Sequence, residues 1–420
     1  MAHSARTRFV LTPVGSAGDV HPFIGIGRAL AARGHDVIVA TAAPFETTVA
    51  HAGLGFQVTA SAAQFDAVSR HPDLWHPVRG LRLLLGEIAS HLRGAYEGLA
   101  RLHEPGRTVL VGHSLSLSNR VFEEVHGVPA ATLHLAPSIF RSDHLQPAHA
   151  PGRDASTWPR WLKRTAWWTV DRLLIDPPIV PELNAWRREL GLAPVDRVFQ
   201  QWMHSPQRVI GLFPEWFGPP QPDWPAALRL TGFALYDESD QHQVPEAVLR
   251  FLEAGPPPIV CTPGSANQSA ARFFRAVLGA GERLDRRVLM LTPYRHQVPA
   301  SLPPAGHHEP YVPLSAVLPR AAALVHHGGI GTVAQGLAAG VPQLTMPMGF
   351  DQPDNATRLE RLGVGAWVRP SAFTPDRVAE SLRRLLDDPR TQENCRRLAA
   401  LLAPRDAVAR TCDLLEELVP

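Results

Sequence analysis

Residues 8–40, RFVLTPVGSAGDVHPFIGIGRALAARGHDVIVA, decide the fold class. An apolar run over 8–12 ends in a glycine-bearing turn. A helix is expected over 22–33, stopped by Gly34, and a second apolar run follows at 37–40. Strand, turn, helix and strand within about 35 residues form a βαβ unit, which implies a parallel sheet with a right-handed crossover. The rhythm returns at 108–112, with a helix expected over 119–125 and a strand over 129–135. After residue 246 it restarts, with strands expected at 258–262, 288–292, 323–325 and 343–346, each followed by a Gly- or Pro-marked turn and a helical stretch. The expectation is an α/β chain of two facing Rossmann-like, doubly wound domains with a cleft between them. Ligands of such sheets bind beyond the carboxyl ends of the strands.

Length and composition agree with two domains. The 420 residues exceed what one hydrophobic core usually organises. Apolar residues make up 45% and charged residues 19%, which describes a chain able to bury large cores. The formal net charge of +2 lacks the basic excess of a nucleic-acid-binding surface, so no nucleic-acid partner is expected. Lys163 is the only lysine, so the positive charge is almost all arginine. Three cysteines in no paired or metal-like spacing fit a reducing, cytoplasmic setting. Neither a signal peptide nor an apolar run long enough to span a bilayer is visible. The stretch from 137 to 225 reads differently. It holds eight of the ten tryptophans, is broken by proline pairs, and is expected to form helical excursions over the first domain.

Three strand-to-helix turns carry groups suited to chemistry. In GSAGDVHP (15–22) the glycines permit the turn, Asp19 suits a helix cap and Pro22 a first helical turn. Alternatively, the carboxylate of Asp19 and the imidazole of His21 project from a strand end, where a general base must sit. The spacing is not that of a dinucleotide fingerprint. In VHHGGIGT (325–332), glycines free backbone N–H groups at a helix N-terminus, which makes an anion site with the macrodipole behind it. His326 would add a side-chain donor to a diphosphate there. In DQPDN (351–355), clustered hydrogen-bonding groups suit a polyol, or simply cap the helix expected over 356–362. No HExxH, paired CxxC, GxxxxGK[ST], GxSxG or Asp-x-Asp pattern occurs, so metal-dependent hydrolysis, P-loop and α/β-hydrolase chemistries lack their signatures.

The set GSAGDVHPFIGIGRAL (15–30), TPGS (262–265) and YVPLSAVLPRAAALVHHGGIGTVAQGLAAGVPQLTMPMGFDQPDNA (311–356) resembles the GT-B family 1 glycosyltransferases over nearly the whole chain. Within them, QWMHSPQRVIGLFPEWFGPPQPDWP (201–225) is similar to the rhamnosyltransferases of bacterial rhamnolipid biosynthesis. The resemblance implies an acceptor-binding domain over 1–220, a linker over 221–245, a nucleotide-sugar donor domain over 246–400, and a C-terminal helix in 401–420 returning to the first domain. It implies that Tyr311 stacks on the nucleotide base and that Val312 offers its backbone to the base edge. His326, Gly328, Gly331 and Thr332 would hold the diphosphate with Ser265 approaching it, and Asp351 and Gln352 would bond the sugar hydroxyls. Leu314 departs from the glutamine of many plant members. Asp19 is the first choice of base and His21 the second. The position of the plant base-orienting aspartate falls at His113 or a neighbour, so that dyad is not reproduced.

The activity implied is inverting, metal-independent transfer of L-rhamnose from dTDP-L-rhamnose to a 3-(3-hydroxyalkanoyloxy)alkanoic acid. The donor is a substrate, and no cofactor is expected. The alternative is a UDP-glucose-dependent transferase acting on a sterol or other apolar aglycone. A partner subunit supplying the acceptor and peripheral contact with the inner membrane both remain open. The segment 155–170, with Trp158, Trp161, Trp167 and Trp168 beside Arg160, Lys163 and Arg164, either lines an acyl-chain pocket, rests on anionic headgroups, or packs as core beneath a solvated basic face.

Overall fold

A computed structural model describes residues 6–148, 157–403 and 406–419. The chain divides into two compact units. One comprises the described residues up to 147, those of 157–234 and those from 406 onward. The other comprises Ala148 and 235–403.

The first unit is built on seven strands: β1 (Arg8–Thr12), β2 (Asp36–Ala42), β3 (Gly55–Ala60), β4 (Thr108–His113), β5 (Ala130–His134), β6 (Val209–Gly211) and β7 (Leu228–Leu230). They pair in parallel in the order β3-β2-β1-β4-β5-β6-β7. Val10 sits opposite Ile38 on one side and Leu110 on the other. Phe9, Val10 and Leu11 are fully buried. That is why β1 reads as an unbroken apolar run rather than an alternating one: helices cover both faces of a parallel sheet. Strand order reverses between β1 and β4, so the crevice at their carboxyl ends is the place where such sheets receive ligands.

The first helix spans Ala17–Ala32, five residues longer at its start than the sequence suggests. Ser16 and Asp19 form a capping box around the first turn, so Ser16 is the N-cap and the helix begins at Ala17, two residues after Gly15, whose φ of 138° only glycine adopts readily. Pro22 therefore lies in the second turn, not the first, and removes one main-chain donor there. The helix over Leu117–His126 is likewise longer than expected and closes on Gly127 in the left-handed region. Helices Arg160–Val170 and Val180–Glu189, joined by a π-turn over Asp171–Ile175, bury Ile175, Ile179, Leu183 and Trp186 against Leu92 and Val121. The final helix, Ala407–Glu416, belongs to this unit. Arg33 bonds Asp413 (2.7 Å) and Glu416 (2.6 Å), and Thr411 donates to Thr231 (2.9 Å) in the interior.

The second unit carries β8 (Ile259–Thr262), β9 (Val288–Leu291), β10 (Gly306–Glu309), β11 (Ala323–His326), β12 (Gln343–Thr345) and β13 (Gly365–Trp367), all parallel in the order β10-β9-β8-β11-β12-β13. Its core packs Phe273, Phe274, Val277, Met290, Phe373 and Leu382 beneath the sheet. The order reverses between β8 and β11, which places a second ligand crevice at that point. Both arrays are thus the α/β doubly wound sheets the sequence calls for. The helix expected over 356–362 instead begins at Gln352, with Asp351 at its N-cap.

Candidate active site

In the first unit, the turn after β1 and the turn after β4 flank the switch point. Asp19 occupies the third position of its helix. It accepts from the Ser16 N–H at 2.8 Å and from the Ser16 hydroxyl at 3.2 Å. A helix N-terminus and two donors favour the ionised carboxylate. Burial outweighs them and pushes the pKa from 3.8 up to about 6. A methyl group on Gly15 would lie 2.2 Å from the Asp19 carboxylate, so the glycine leaves room for that side chain as well as for the turn. His21 stands two residues further on. At 3.6 residues per turn that is about 200° around the axis, so Asp19 and His21 do not share a helix face.

His113 ends β4. Its Nδ1 accepts from the Leu115 N–H at 3.3 Å, its ring meets Phe23 edge-on, and burial lowers its pKa to about 4. It is neutral at physiological pH. Next to it lies a connection that residue order conceals. The Ser114 hydroxyl is 2.7 Å from His134 Nδ1, and His134 Nε2 is 2.9 Å from His204 Nδ1. All three are buried, and burial holds both imidazoles below their usual range.

In the second unit, three neighbouring strands, β8, β11 and β12, send their carboxyl-end loops to one crevice. After β8, Ser265 is exposed on a loop whose Gly264 has φ 90°. After β11, His326 and His327 have different fates. His326 is fully buried, its Nδ1 accepts the Gly328 N–H at 3.2 Å, and its Nε2 lies 3.0 Å from Gln343 Oε1. Both ring nitrogens are committed, and burial lowers the pKa to about 3. The expectation that this ring donates to a diphosphate is therefore corrected: His326 holds the turn instead. His327 is only half-buried, yet its Nδ1 is enclosed and has no hydrogen-bond partner among the described residues. Its ring lies against Gly264 and Gly329, where an added methyl would come within 2.8 Å and 2.4 Å. Of the two adjacent histidines, His327 is the one whose ring keeps a nitrogen without a partner among the described residues. The sequence shows the pair, but nothing local says which one enters the strand.

Gly328 adopts φ 96°, and Gly329 caps the helix Ile330–Ala338. The first N–H of that helix, Ile330, is taken by Asp351 Oδ2 at 3.1 Å, while Gly331 and Thr332 occupy the next two positions, whose N–H groups have no acceptor within the helix. Asp351 also accepts from Asn355 Nδ2 at 2.7 Å, and Asn355 donates to the Gly328 carbonyl at 2.9 Å. Gln352 is buried, and its Oε1 accepts from Met348 N–H at 2.8 Å and Gly349 N–H at 3.3 Å, which leaves its NH2 end as the part able to meet a ligand. Gly328, Gly331, Asp351 and Gln352 are thus brought together. After β10, the Tyr311 hydroxyl donates to the Asp237 carbonyl at 2.6 Å, and the same aspartate holds Ser315 by its N–H (2.8 Å) and hydroxyl (3.1 Å). Burial and the nearby carboxylates of Glu238 and Asp237 raise the phenol's pKa, so it stays a donor. The Val312 side chain is buried, and its main-chain groups bond to no described residue.

Residues 9–83 match the family described as Glycosyltransferase family 28 N-terminal domain. Residues 275–418 match Erythromycin biosynthesis protein CIII-like, C-terminal domain. The chain is a nucleotide-sugar glycosyltransferase of the GT-B fold. The O-mycaminosyltylonolide 6-deoxyallosyltransferase of Streptomyces fradiae is 29% identical over 439 residues, covering 98% of this chain and 97% of that protein. The crystal structure of the glycotransferase of kitacinnamycin superposes with a TM-score of 0.74 at 22% identity, covering 99% of this chain and 100% of that one. The spinosyn rhamnosyltransferase SpnG complexed with thymidine diphosphate gives 0.69 at 18% identity, covering 97% and 100%. In each sheet of this glycosyltransferase, the loops at the switch point are the place where a ligand is expected.

Proposed function

We propose that the protein transfers a 6-deoxyhexose, with inversion and without a metal, from a dTDP-sugar to a hydroxyl of an apolar acceptor. Asp19 takes the proton of the acceptor hydroxyl as its oxygen attacks the anomeric carbon. The bond to the nucleoside diphosphate breaks on the opposite face of the sugar. The charge that grows on the departing phosphate is met by the N–H groups of Gly331 and Thr332 and by the His327 imidazole. Asp351 and the Gln352 amide hold the sugar hydroxyls, Ser265 reaches the diphosphate, and Tyr311 with the Val312 backbone receives the base. A placed base contributes about 10²–10⁴-fold and a preorganised donor a few kcal/mol, on the order of 3. The observation that carries this reading is the enclosed, unpartnered Nδ1 of His327 beside a glycine-freed helix N-terminus.

The donor assignment is supported by relatives whose names carry a 6-deoxyallosyl group and a rhamnosyl group with thymidine diphosphate. The narrow form of the proposal is L-rhamnose moved from dTDP-L-rhamnose to a 3-(3-hydroxyalkanoyloxy)alkanoic acid, supported by the likeness of residues 201–225. Calorimetric titration with dTDP and UDP, followed by turnover with dTDP-L-rhamnose, tests it. Tighter binding of dTDP and a mono-rhamnolipid product of inverted anomeric configuration are expected. Tighter UDP binding with glucosyl transfer to a sterol overturns the donor and acceptor together. Retention of configuration overturns the mechanism.

A further inference from the structure

Among the described residues, four of the most exposed large apolar side chains fall within one short segment: Trp158, Trp161, Trp168 and Leu173 are 45%, 67%, 53% and 61% exposed. Trp161 and Trp168 are seven residues apart on the helix Arg160–Val170, so they lie on one face. The hydroxyls between and beside them are tied to carbonyls of the helix itself. Thr165 donates to the Trp161 carbonyl and Thr169 to the Thr165 carbonyl, each at 2.9 Å, so that face is more apolar than its composition suggests.

The opposite face is fastened down. Trp167 is buried with the Arg141 guanidinium 4.4 Å from its ring centre, and the buried Lys163 Nζ donates to the His144 carbonyl at 2.8 Å. Asp171, just beyond the helix, is buried in ion pairs with Arg141 and Arg197. It is the only acidic residue over 157–175. The exposed aromatic face is bordered by Arg160 and Arg172, both exposed and without a carboxylate partner among the described residues, while Arg164, between Trp161 and Trp168, is paired with Asp143 at 2.9 Å.

We propose that this tryptophan face is a docking surface for the interfacial region of an anionic bilayer. Indole rings sit at the headgroup boundary with the ring body in the apolar layer, and arginines beside them pair with lipid phosphates. No helix among the described residues is long and apolar enough to cross a membrane, so the contact is peripheral. A second copy of the chain fits less well. A two-fold contact through this face would set Arg160 and Arg172 against the same arginines of the copy, with the nearby acid, Asp143, already paired with Arg164. The inference stands on surface chemistry and is independent of which sugar is transferred.

Sedimentation with vesicles of phosphatidylcholine, with and without phosphatidylglycerol, tests it. The protein should bind only the anionic vesicles, its tryptophan emission should shift to shorter wavelength, and binding should weaken as salt is raised. Trp161→Ser/Trp168→Ser should weaken vesicle binding by at least about tenfold. Arg160→Glu/Arg172→Glu should abolish the preference for phosphatidylglycerol. dTDP titration of each variant checks that the fold and nucleotide site are intact. No binding to anionic vesicles, or undiminished binding by the tryptophan variant, overturns the proposal. So does a concentration-dependent dimer in sedimentation equilibrium that the tryptophan variant abolishes.

Discussion

His326 Nε2 lies 3.0 Å from Gln343 Oε1, while the Gln343 amide donates onward to the Val333 carbonyl at 3.2 Å. The Gly328 N–H points at His326 Nδ1, so the proton resides on Nε2 and the ring is a neutral strut between β11, β12 and the helix that follows β11. Its neighbour His327 carries no such duty. Exchanging the two histidines for alanine should separate structure from function. His326→Ala strands the Gly328 N–H and opens a space in the core, and should cost about 2–4 kcal/mol of stability in urea unfolding. His327→Ala should leave the unfolding midpoint nearly unchanged while lowering kcat/KM by about 10–10³-fold and weakening dTDP binding. Equal stability loss in both variants would contradict this division.

Asp19 is held by two Ser16 donors and still titrates near neutrality because of burial. A carboxyl raised from 3.8 to about 6 stabilises the fold while protonated, and that contribution is lost as pH rises through about 6. Ionisation therefore costs the fold up to about 3 kcal/mol at neutral pH. Asp19→Asn should lower turnover by about 10²–10⁴-fold and leave stability at pH 7.5 equal to or above that of the parent. The parent's kcat/KM should fall below about pH 6 as the base is protonated. A flat acidic limb in the pH–rate profile would remove Asp19 from the role.

Burial lowers six imidazoles among the described residues: His113, His204 and His327 to about 4, His326 to about 3, His134 well below its usual range, and His103 to a lesser extent beside His126. Each is neutral when folded but takes up a proton near pH 6.5 once unfolded. Stability should be steady above about pH 7, then fall as pH drops below 6.5, by up to about 1.4 kcal/mol per pH unit for each histidine. Asp19 opposes this over part of the range without cancelling it. Urea midpoints at pH 7, 6 and 5 measure the effect, and a constant midpoint would refute it.

Phe350 has φ 57° and is 44% exposed, directly before Asp351 and Gln352. A left-handed aromatic residue carries strain of about 1 kcal/mol or more, and strain of this kind collects at functional loops. Phe350→Gly should raise the thermal midpoint and reduce donor turnover. A gain in stability with full activity would show that the strain serves nothing at this loop.

The sheets were legible because buried parallel strands are apolar throughout and the turns that serve ligands need glycine. Helix starts were less so. Pro22 suggests a first turn, yet the Ser16–Asp19 capping box satisfies the orphan donors earlier and sets the start at Ala17. The roles of His326 and His327 could not be told apart locally. Which one is sealed depends on β11 running one residue past Val325, where His326 pairs with Thr345 and meets Gln343. The Ser114–His134–His204 connection joins residues 20 and 70 positions apart and has no local pattern at all.

The return of the helix Ala407–Glu416 to the first unit makes the second unit an insert in the sequence of the first rather than a bead on a string. Exchanging that unit between relatives therefore needs two splice joints, one near residue 234 and one near 406. A single crossover in the middle would graft on a foreign terminal helix. The ties of Arg33 and Thr231 to that helix would then be left to chance.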